Sequence, residues 1–383
     1  TALVGVASEA RHHDQADTYA RHAEAAVRAL GGDRDLEAEL HGSVGLLRAE
    51  QGRYDEATRR LEQAVAAWRE PPADRAAAGA ALSNLGMIYR DQARAGDAAR
   101  AFEEARAAVA ESLGDSHPFL ASIENNLGVL AMDRGDPAAA EQHHRRAADR
   151  ARRAYGEGSE IELDARFNIA LTWDARGRAD EAEAELGAVL AAQKERLGAR
   201  HPSVARTVNS LGVISGARGD RDRALARFEE AAAIYQEALG PDSPQVAFAL
   251  LNIGITRAEL GRHEDALAAF ERAHERWRAI HGDSHPYVAI ALTGLAGSAS
   301  ELGRTARVRE ALEQALAIWE ASGVTGAQRA ATEFTLARVL WPDRAARPRA
   351  LSLARAARAA LAAAGPPAAS TLAEVDAWLA ERR

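Results

Sequence analysis

Apolar and polar positions along this 383-residue chain alternate with helical spacing almost throughout, and the same arrangement returns at a fixed interval. Asn84-Leu85-Gly86, Asn126-Leu127-Gly128, Asn168-Ile169-Ala170, Ser210-Leu211-Gly212, Asn252-Ile253-Gly254 and Gly294-Leu295-Ala296 follow one another 42 residues apart. Fourteen places after each first position stands a small residue: Ala98, Ala140, Ala182, Ala224, Ala266 and Val308. Nine places after it stands a glycine, Gly135, Gly177, Gly219, Gly261 or Gly303, with Ala93 as the exception. Ser43-Val44-Gly45 with Gly52 and Ala57 is a copy one residue short, and Thr335-Leu336-Ala337 with Ala350 is a degenerate one. A fixed period in the range of about 20 to 50 residues marks a repeat array, whose units bury their apolar faces against their neighbours.

Each unit predicts two helices. In the third, Pro118 stands where a first-turn proline is tolerated, with Ser116 or Asp115 available as the cap, and helix A runs to about Arg134. Gly135 turns the chain, helix B runs from Pro137 to about Tyr155, and Gly156 ends it. The same linker recurs around Pro202, Pro244 and Pro286. A glycine inside a helix costs about 1 kcal/mol against alanine, so Gly86, Gly128, Gly212 and Gly254 need a packing reason. The expected one is close approach of helix B, facing the glycine with the small alanine 12 places further on. Leu85, Leu127, Ile169, Leu211, Ile253 and Leu295 are expected in the core.

The predicted fold is an all-α, right-handed solenoid of about seven antiparallel helix pairs. Residues 1–35 read as a partial N-terminal repeat, with a worn helix at Leu3-Val4-Gly5 and a second from Ala16 to Leu30. Residues 36–364 form the solenoid, and 365–383 a capping helix with Leu372, Val375, Trp378 and Leu379 on one stripe.

Apolar residues make up 47 % of the chain and aromatics 5 %, a composition suited to helices packed through small side chains. The net charge of −8 argues against nucleic acid, whose phosphates call for a basic face. With no cysteine, disulfides, thiolate metal sites and a cysteine nucleophile are excluded. The longest uncharged run, Tyr287 to Ser300, is too short for a membrane helix, and no signal-peptide pattern is present. The expected location is cytoplasmic. The chain opens on Thr1, inside a repeat, which reads as part of a larger protein.

Asn84 to Tyr89 in the order Asn-Leu-Gly-x-x-Tyr, Gly52-Arg-Tyr-Asp-Glu-Ala57, and helices ending in Ala-Leu before glycine resemble the tetratricopeptide repeat. The longer period and the Leu-Gly-Asp-x-His-Pro linker resemble the variety found in kinesin light chains. Ala2-Leu-Val-Gly-Val6, Arg21-His-Ala-Glu-Ala25, Gly365-Pro-Pro and Leu372 to Trp378 also resemble the C-terminal repeat region of bacterial serine/threonine kinases. That resemblance implies a docking or sensory region behind a kinase domain. No Gly-rich phosphate loop, His-Arg-Asp or Asp-Phe-Gly stands in this chain.

No catalytic, metal or cofactor constellation emerges. His117, His201 and His285 lie on separate linkers and read as turn and cap residues, since zinc needs its ligands within about 2 Å. His274-Glu275 lacks the second histidine of a zinc-protease motif, because Arg278 takes its place. His12-His13 and His143-His144 are neighbours pointing to different faces.

What remains is the groove that the resemblance implies. The family's asparagine lines the concave face and hydrogen-bonds an extended peptide, which nominates Asn84, Asn126, Asn168 and Asn252, with Ser210 as a weaker substitute. A carboxamide both donates and accepts, so it can read a peptide unit without regard to side chain. The alternative is that these asparagines bridge adjacent helices. Seven places after the asparagine position runs an acidic row, Glu50, Asp91, Asp133, Glu259 and Glu301, with Asp174 one place early in its repeat. It either pairs with arginines such as Arg53, Arg134 and Arg262 or forms an acidic ledge that prefers basic or neutral peptides. The expected partner is a protein or peptide, with neither nucleic acid nor membrane; the rival reading is a self-associating structural array.

Overall fold

The structure, a computed structural model, describes residues 13–29, 31, 33–51, 53–71, 74–304, 308–322, 326–365 and 368–382, without the side chains of 13–16 and 50. Helix α1 (His13–Ala29) precedes a series of hairpins, each an A helix followed by a B helix. They are α2 (Arg34–Glu50) with α3 (Tyr54–Arg69), α4 (Arg75–Asp91) with α5 (Ala95–Leu113), α6 (Phe119–Asp133) with α7 (Pro137–Tyr155), and α8 (Glu160–Ala175) with α9 (Ala179–Leu197). Then follow α10 (Pro202–Ala217) with α11 (Arg221–Leu239), α12 (Pro244–Glu259) with α13 (His263–His281), α14 (Pro286–Glu301) with α15 (Val308–Ser322), and α16 (Ala327–Leu340) with α17 (Arg347–Ala364). Helix α18 (Ala369–Ala380) closes the series. The degenerate copy around Thr335 thus forms a complete pair, the eighth. The stretch around Leu3-Val4-Gly5 lies outside the described residues, as do His12, Gly52, Pro366 and Pro367.

The chain divides into two compact units, residues 1–192 and 193–383. In the first, α1 to α8 pack in succession, and α2, α4 and α6 each also touch the following A helix. In the second, α10 to α18 pack in succession, and α12 and α14 each touch the following A helix. Each unit is therefore a solenoid of stacked hairpins.

Side chains at the helix starts explain where the helices begin. Asp136 and Asp220 accept from the backbone N–H three residues on, at 3.0 and 3.2 Å, and Ser243 does the same at 3.3 Å. The linker histidines act likewise: Nδ1 of His117, His201 and His285 accepts from the N–H of Phe119, Ser203 and Tyr287 at 3.2–3.3 Å. Before α6 it is therefore His117, rather than Ser116 or Asp115, that provides the local hydrogen bond, because its ring reaches the amide two residues ahead. At the turn inside six of the hairpins, Gly135, Gly177, Gly219, Gly261 and Gly303 have φ between 70 and 81°, and Ala93 is forced to 58°.

The rows read from the sequence are core rows. Ala98, Ala140, Ala182, Ala224 and Ala266 are fully enclosed and Val308 nearly so, while Leu85, Leu127, Ile169, Leu211 and Ile253 are buried. Leu295 is only half buried, where its helix meets the degenerate eighth copy.

The helix glycines do mark a close approach, but the facing residue is not the alanine 12 places on. It stands 16 places on and is bulky. A Cβ on Gly86, Gly212 or Gly254 would come 2.7–2.8 Å from the ring of Phe102, Phe228 or Phe270, and one on Gly45 2.9 Å from Leu61. One on Gly128 would run into the imidazole of His144. The glycine exists to admit a ring, not to meet another small residue. Phe270 is pressed from both sides, since Gly294 of the next A helix also lies against it.

At the C-terminal end, α18 covers the last hairpin. Val375 is buried, and Trp378 lies edge-on to Phe334 and Trp341 at 6.0 and 5.3 Å. The Arg382 guanidinium sits over both indoles.

Candidate functional site: the asparagine row of the A helices

The chain has six asparagines: Asn84, Asn125, Asn126, Asn168, Asn209 and Asn252. All of them fall at one position of helix A or the position just before it. Asn84, Asn126, Asn168, Ser210 and Asn252 are half buried on successive A helices. Three places further along, on the same helix face, runs an apolar row of Leu46, Met87, Val129, Leu171, Val213 and Ile255. Leu46, Val213 and Ile255 are 38, 49 and 43 % exposed, and the other three are half buried. In the second unit Phe248 adds an exposed ring, edge-on to Tyr287 at 5.5 Å. Each unit thus carries carboxamides beside a partly exposed apolar strip.

The nominated carboxamides differ in what they already hold. Asn168 Nδ2 donates to Asn125 Oδ1 at 2.9 Å, and Asn252 Nδ2 donates to Asn209 Oδ1 at 3.1 Å. Both bonds join an A helix to the preceding one, so these two asparagines act as bridges, with one N–H and the Oδ1 left over among the described residues. Thr172 and Thr256 buttress them identically, each donating to the asparagine's own carbonyl at 2.8 Å. Asn84, Asn126 and Ser210 make no side-chain hydrogen bond to another described residue.

Four of the acidic row are paired with arginine, though not with Arg53, Arg134 or Arg262. Arg90 serves both Asp91 and Asp133, at 2.9 and 3.8 Å; Arg221 serves Glu259 at 3.0 Å, and Arg338 serves Glu301 at 3.5 Å. Arg53 instead pairs with Glu56 and Arg262 with Asp222, while Arg134 donates to the Ala95 carbonyl. Arginine reaches from one hairpin to the next, a geometry that sequence proximity does not reveal. Asp174 has no ion pair among the described residues, and the Glu50 side chain lies outside them.

A buried polar cluster underlies the row in the third repeat. Glu124 is almost fully enclosed and takes a 2.8 Å hydrogen bond from His143 Nδ1, with Arg106 and Arg146 at 3.6 and 3.9 Å. Burial alone would raise its pKa, but the His143 bond and these charges hold it below the usual carboxylate range. His144 is 1 % exposed, and its Nδ1 lies 2.9 Å from Asn125 Oδ1. Burial, and then the nearby His143, push its pKa down to about 4. The neighbouring identities of His143 and His144 in the sequence gave no sign of these separate partners.

Other features offer less. Cavities of about 380 and 240 Å³ flank His41, but Arg60 between them is already tied to Glu24 at 2.6 Å. Among the described residues no group of three or more His, Asp or Glu could hold a metal ion. Nor is any helix among them long and apolar enough to cross a membrane.

Stacked helical hairpins with a repeated polar and apolar surface define a helical repeat protein. The Tetratricopeptide repeat family model matches residues 119–195, 174–237, 203–274 and 245–321, and a second model of the same description matches 79–119. The chain belongs to the tetratricopeptide repeat family. No curated protein sequence matches it. Among solved structures it is similar to BtubC (BKLC) from P. vanneervenii, 23 % identical with a TM-score of 0.52, covering 61 % of this chain and 92 % of that one. It is also similar to a Rap protein complexed with competence and sporulation factor, 14 % identical, TM-score 0.56, covering 92 and 97 %. The apo form of the quorum sensor NprR from B. thuringiensis is 12 % identical, TM-score 0.63, covering 92 and 95 %. At these identities the likeness is one of fold.

Proposed function

We propose that this chain is a non-catalytic scaffold whose A-helix face binds an extended segment of another polypeptide. The observation that carries the reading is the row of half-buried carboxamides beside a partly exposed apolar strip, with Asn84 and Asn126 making no side-chain hydrogen bond among the described residues. Main-chain groups of an extended peptide would pair with the carboxamides, and alternate side chains would cover the strip. The Rap protein of similar fold, seen with competence and sporulation factor, supports the use of such an array for ligand capture. On the sequence resemblance, the host is a cytoplasmic bacterial signalling protein with a serine/threonine kinase domain, organised in this region as residues 1–35, 36–364 and 365–383. Reading the gene upstream of Thr1 tests that host.

The test of the groove starts from peptides selected from a random display library on the intact chain. Asn84→Ala with Asn126→Ala should weaken a selected peptide about tenfold, the loss of one to two net hydrogen bonds. Unchanged affinity in a folded double variant would remove the asparagine row from the site.

Self-association is the second reading, favoured by a different set of residues. Leu113, Tyr155 and Leu239, at the ends of B helices, are 46, 55 and 43 % exposed. A monomer by light scattering at high concentration would set this reading aside.

A further inference from the structure

The place occupied by His144 is held in other repeats by Leu61, Phe102, Leu186, Phe228, Phe270 and Leu312, all buried. It is an apolar position in the hairpin core, and a histidine there loses hydration unless its polar atoms are bonded. The bond it makes is specific. Asn125 Oδ1 is an acceptor only, so the His144 nitrogen facing it at 2.9 Å is the protonated one, and the neutral ring is the Nδ1–H tautomer. The same Oδ1 accepts from Asn168 Nδ2 at 2.9 Å. Turning the Asn125 carboxamide over would set its NH2 against two donors.

We propose that His144 is a positioning residue for the asparagine row: it fixes the direction of the Asn125 carboxamide, which in turn obliges Asn168 to turn an N–H inward and leave its Oδ1 free. The relay runs from α7 through α6 to α8, and its outer end is an acceptor suited to a peptide N–H. This use of the relay rests on the reading of Asn168 as a groove residue; the relay itself does not. The second unit supplies an internal comparison. There Asn252 is bridged to Asn209 in the same way, but Phe228 stands in the place of His144, so that bridge has no histidine behind it. The charged groups around His144 are already committed. On α6, Glu124 binds His143, and on α7, Glu141 takes bonds from Trp173 of α8 and from Arg145 and Arg176. With its pKa pushed down to about 4, the ring is neutral at pH 7 and donates from the one nitrogen.

The test uses the intact chain labelled with 15N at asparagine, which gives only six side-chain amides, together with 15N-labelled histidine. Wild-type His144 is expected as the Nδ1–H tautomer at pH 7. In His144→Phe, the Asn168 amide signals should leave their wild-type position and move toward those of Asn252, whose bridge has Phe228 behind it, while those of Asn252 stay fixed. Asn125→Asp, which keeps the acceptor, should retain the wild-type Asn168 position, and Asn125→Ala should lose it. An Nε2–H tautomer in the wild type, or Asn168 signals unmoved in both His144→Phe and Asn125→Ala, overturns the proposal. The tautomer and the Asn125 pair decide it even if His144→Phe folds poorly. Because no ligand is added, failure here is separable from failure of the peptide-binding reading.

Discussion

At the scale of single residues, the most consequential side chain is a histidine where other hairpins keep phenylalanine or leucine. In the unfolded chain His144 titrates near 6.5, and in the fold near 4. As pH falls through this window the unfolded chain takes up the proton first, so stability is full above about 6.5 and declines toward 4. The whole effect is on the order of 3 kcal/mol. The Glu124 carboxyl, held below its ordinary value, contributes stability that is lost only at lower pH, as it becomes protonated in the fold. His144→Phe should therefore flatten the fall in urea midpoint between pH 6.5 and 4.5 and leave a later acid transition. An unchanged slope in that variant would assign the loss to other groups. Ala93 offers a simpler case. It holds a left-handed φ of 58° where five other hairpins have a glycine of positive φ, so Ala93→Gly should stabilise by up to about 1 kcal/mol, read as a raised urea midpoint.

At the scale of the helix pair, the ring against glycine contact sets how closely A and B can lie. Gly254→Ala should destabilise by about 1–3 kcal/mol, because its methyl would press on the Phe270 ring. Phe270→Leu should recover part of that loss when combined with it, so a double-mutant cycle that proves additive would contradict the contact. The rows of helix A, the hairpin turns and the enclosed alanines were all legible in the sequence, because a strict period puts equivalent residues into equivalent places. The facing partner of each glycine was not. Spacing tells which residues share a helix face, but a ring reaches beyond its own turn, so the contact falls at residue 16 rather than 12. Contacts that cross from one hairpin to the next were hidden for a related reason. Arg221 to Glu259 and Asn125 to Asn168 depend on the length and direction of side chains, which a period does not encode.

At the scale of the whole molecule, the net charge of −8 would suggest a surface that draws in basic peptides. The charges nearest the asparagine row argue otherwise, since Asp91, Asp133, Glu259 and Glu301 already face arginines. Such exposed pairs are worth only about 0–1 kcal/mol to stability, yet they cancel much of the local field. Affinity for a selected peptide should change less than about threefold between roughly 0.05 and 0.3 M salt, in contrast to an unpaired ledge. A steep loss with salt, confined to basic peptides, would restore the acidic reading. One further consequence follows from the carboxamide bridges. Asn125 and Asn209, like Asn168 and Asn252, stand 84 residues apart, twice the hairpin period. Excising a single hairpin, residues 126–167, would align Asn125 with Ser210, whereas excising two, 126–209, would align it with Asn252 and keep the stitch. The doublet, not the hairpin, is the module by which such a chain can be shortened or extended with its seams intact.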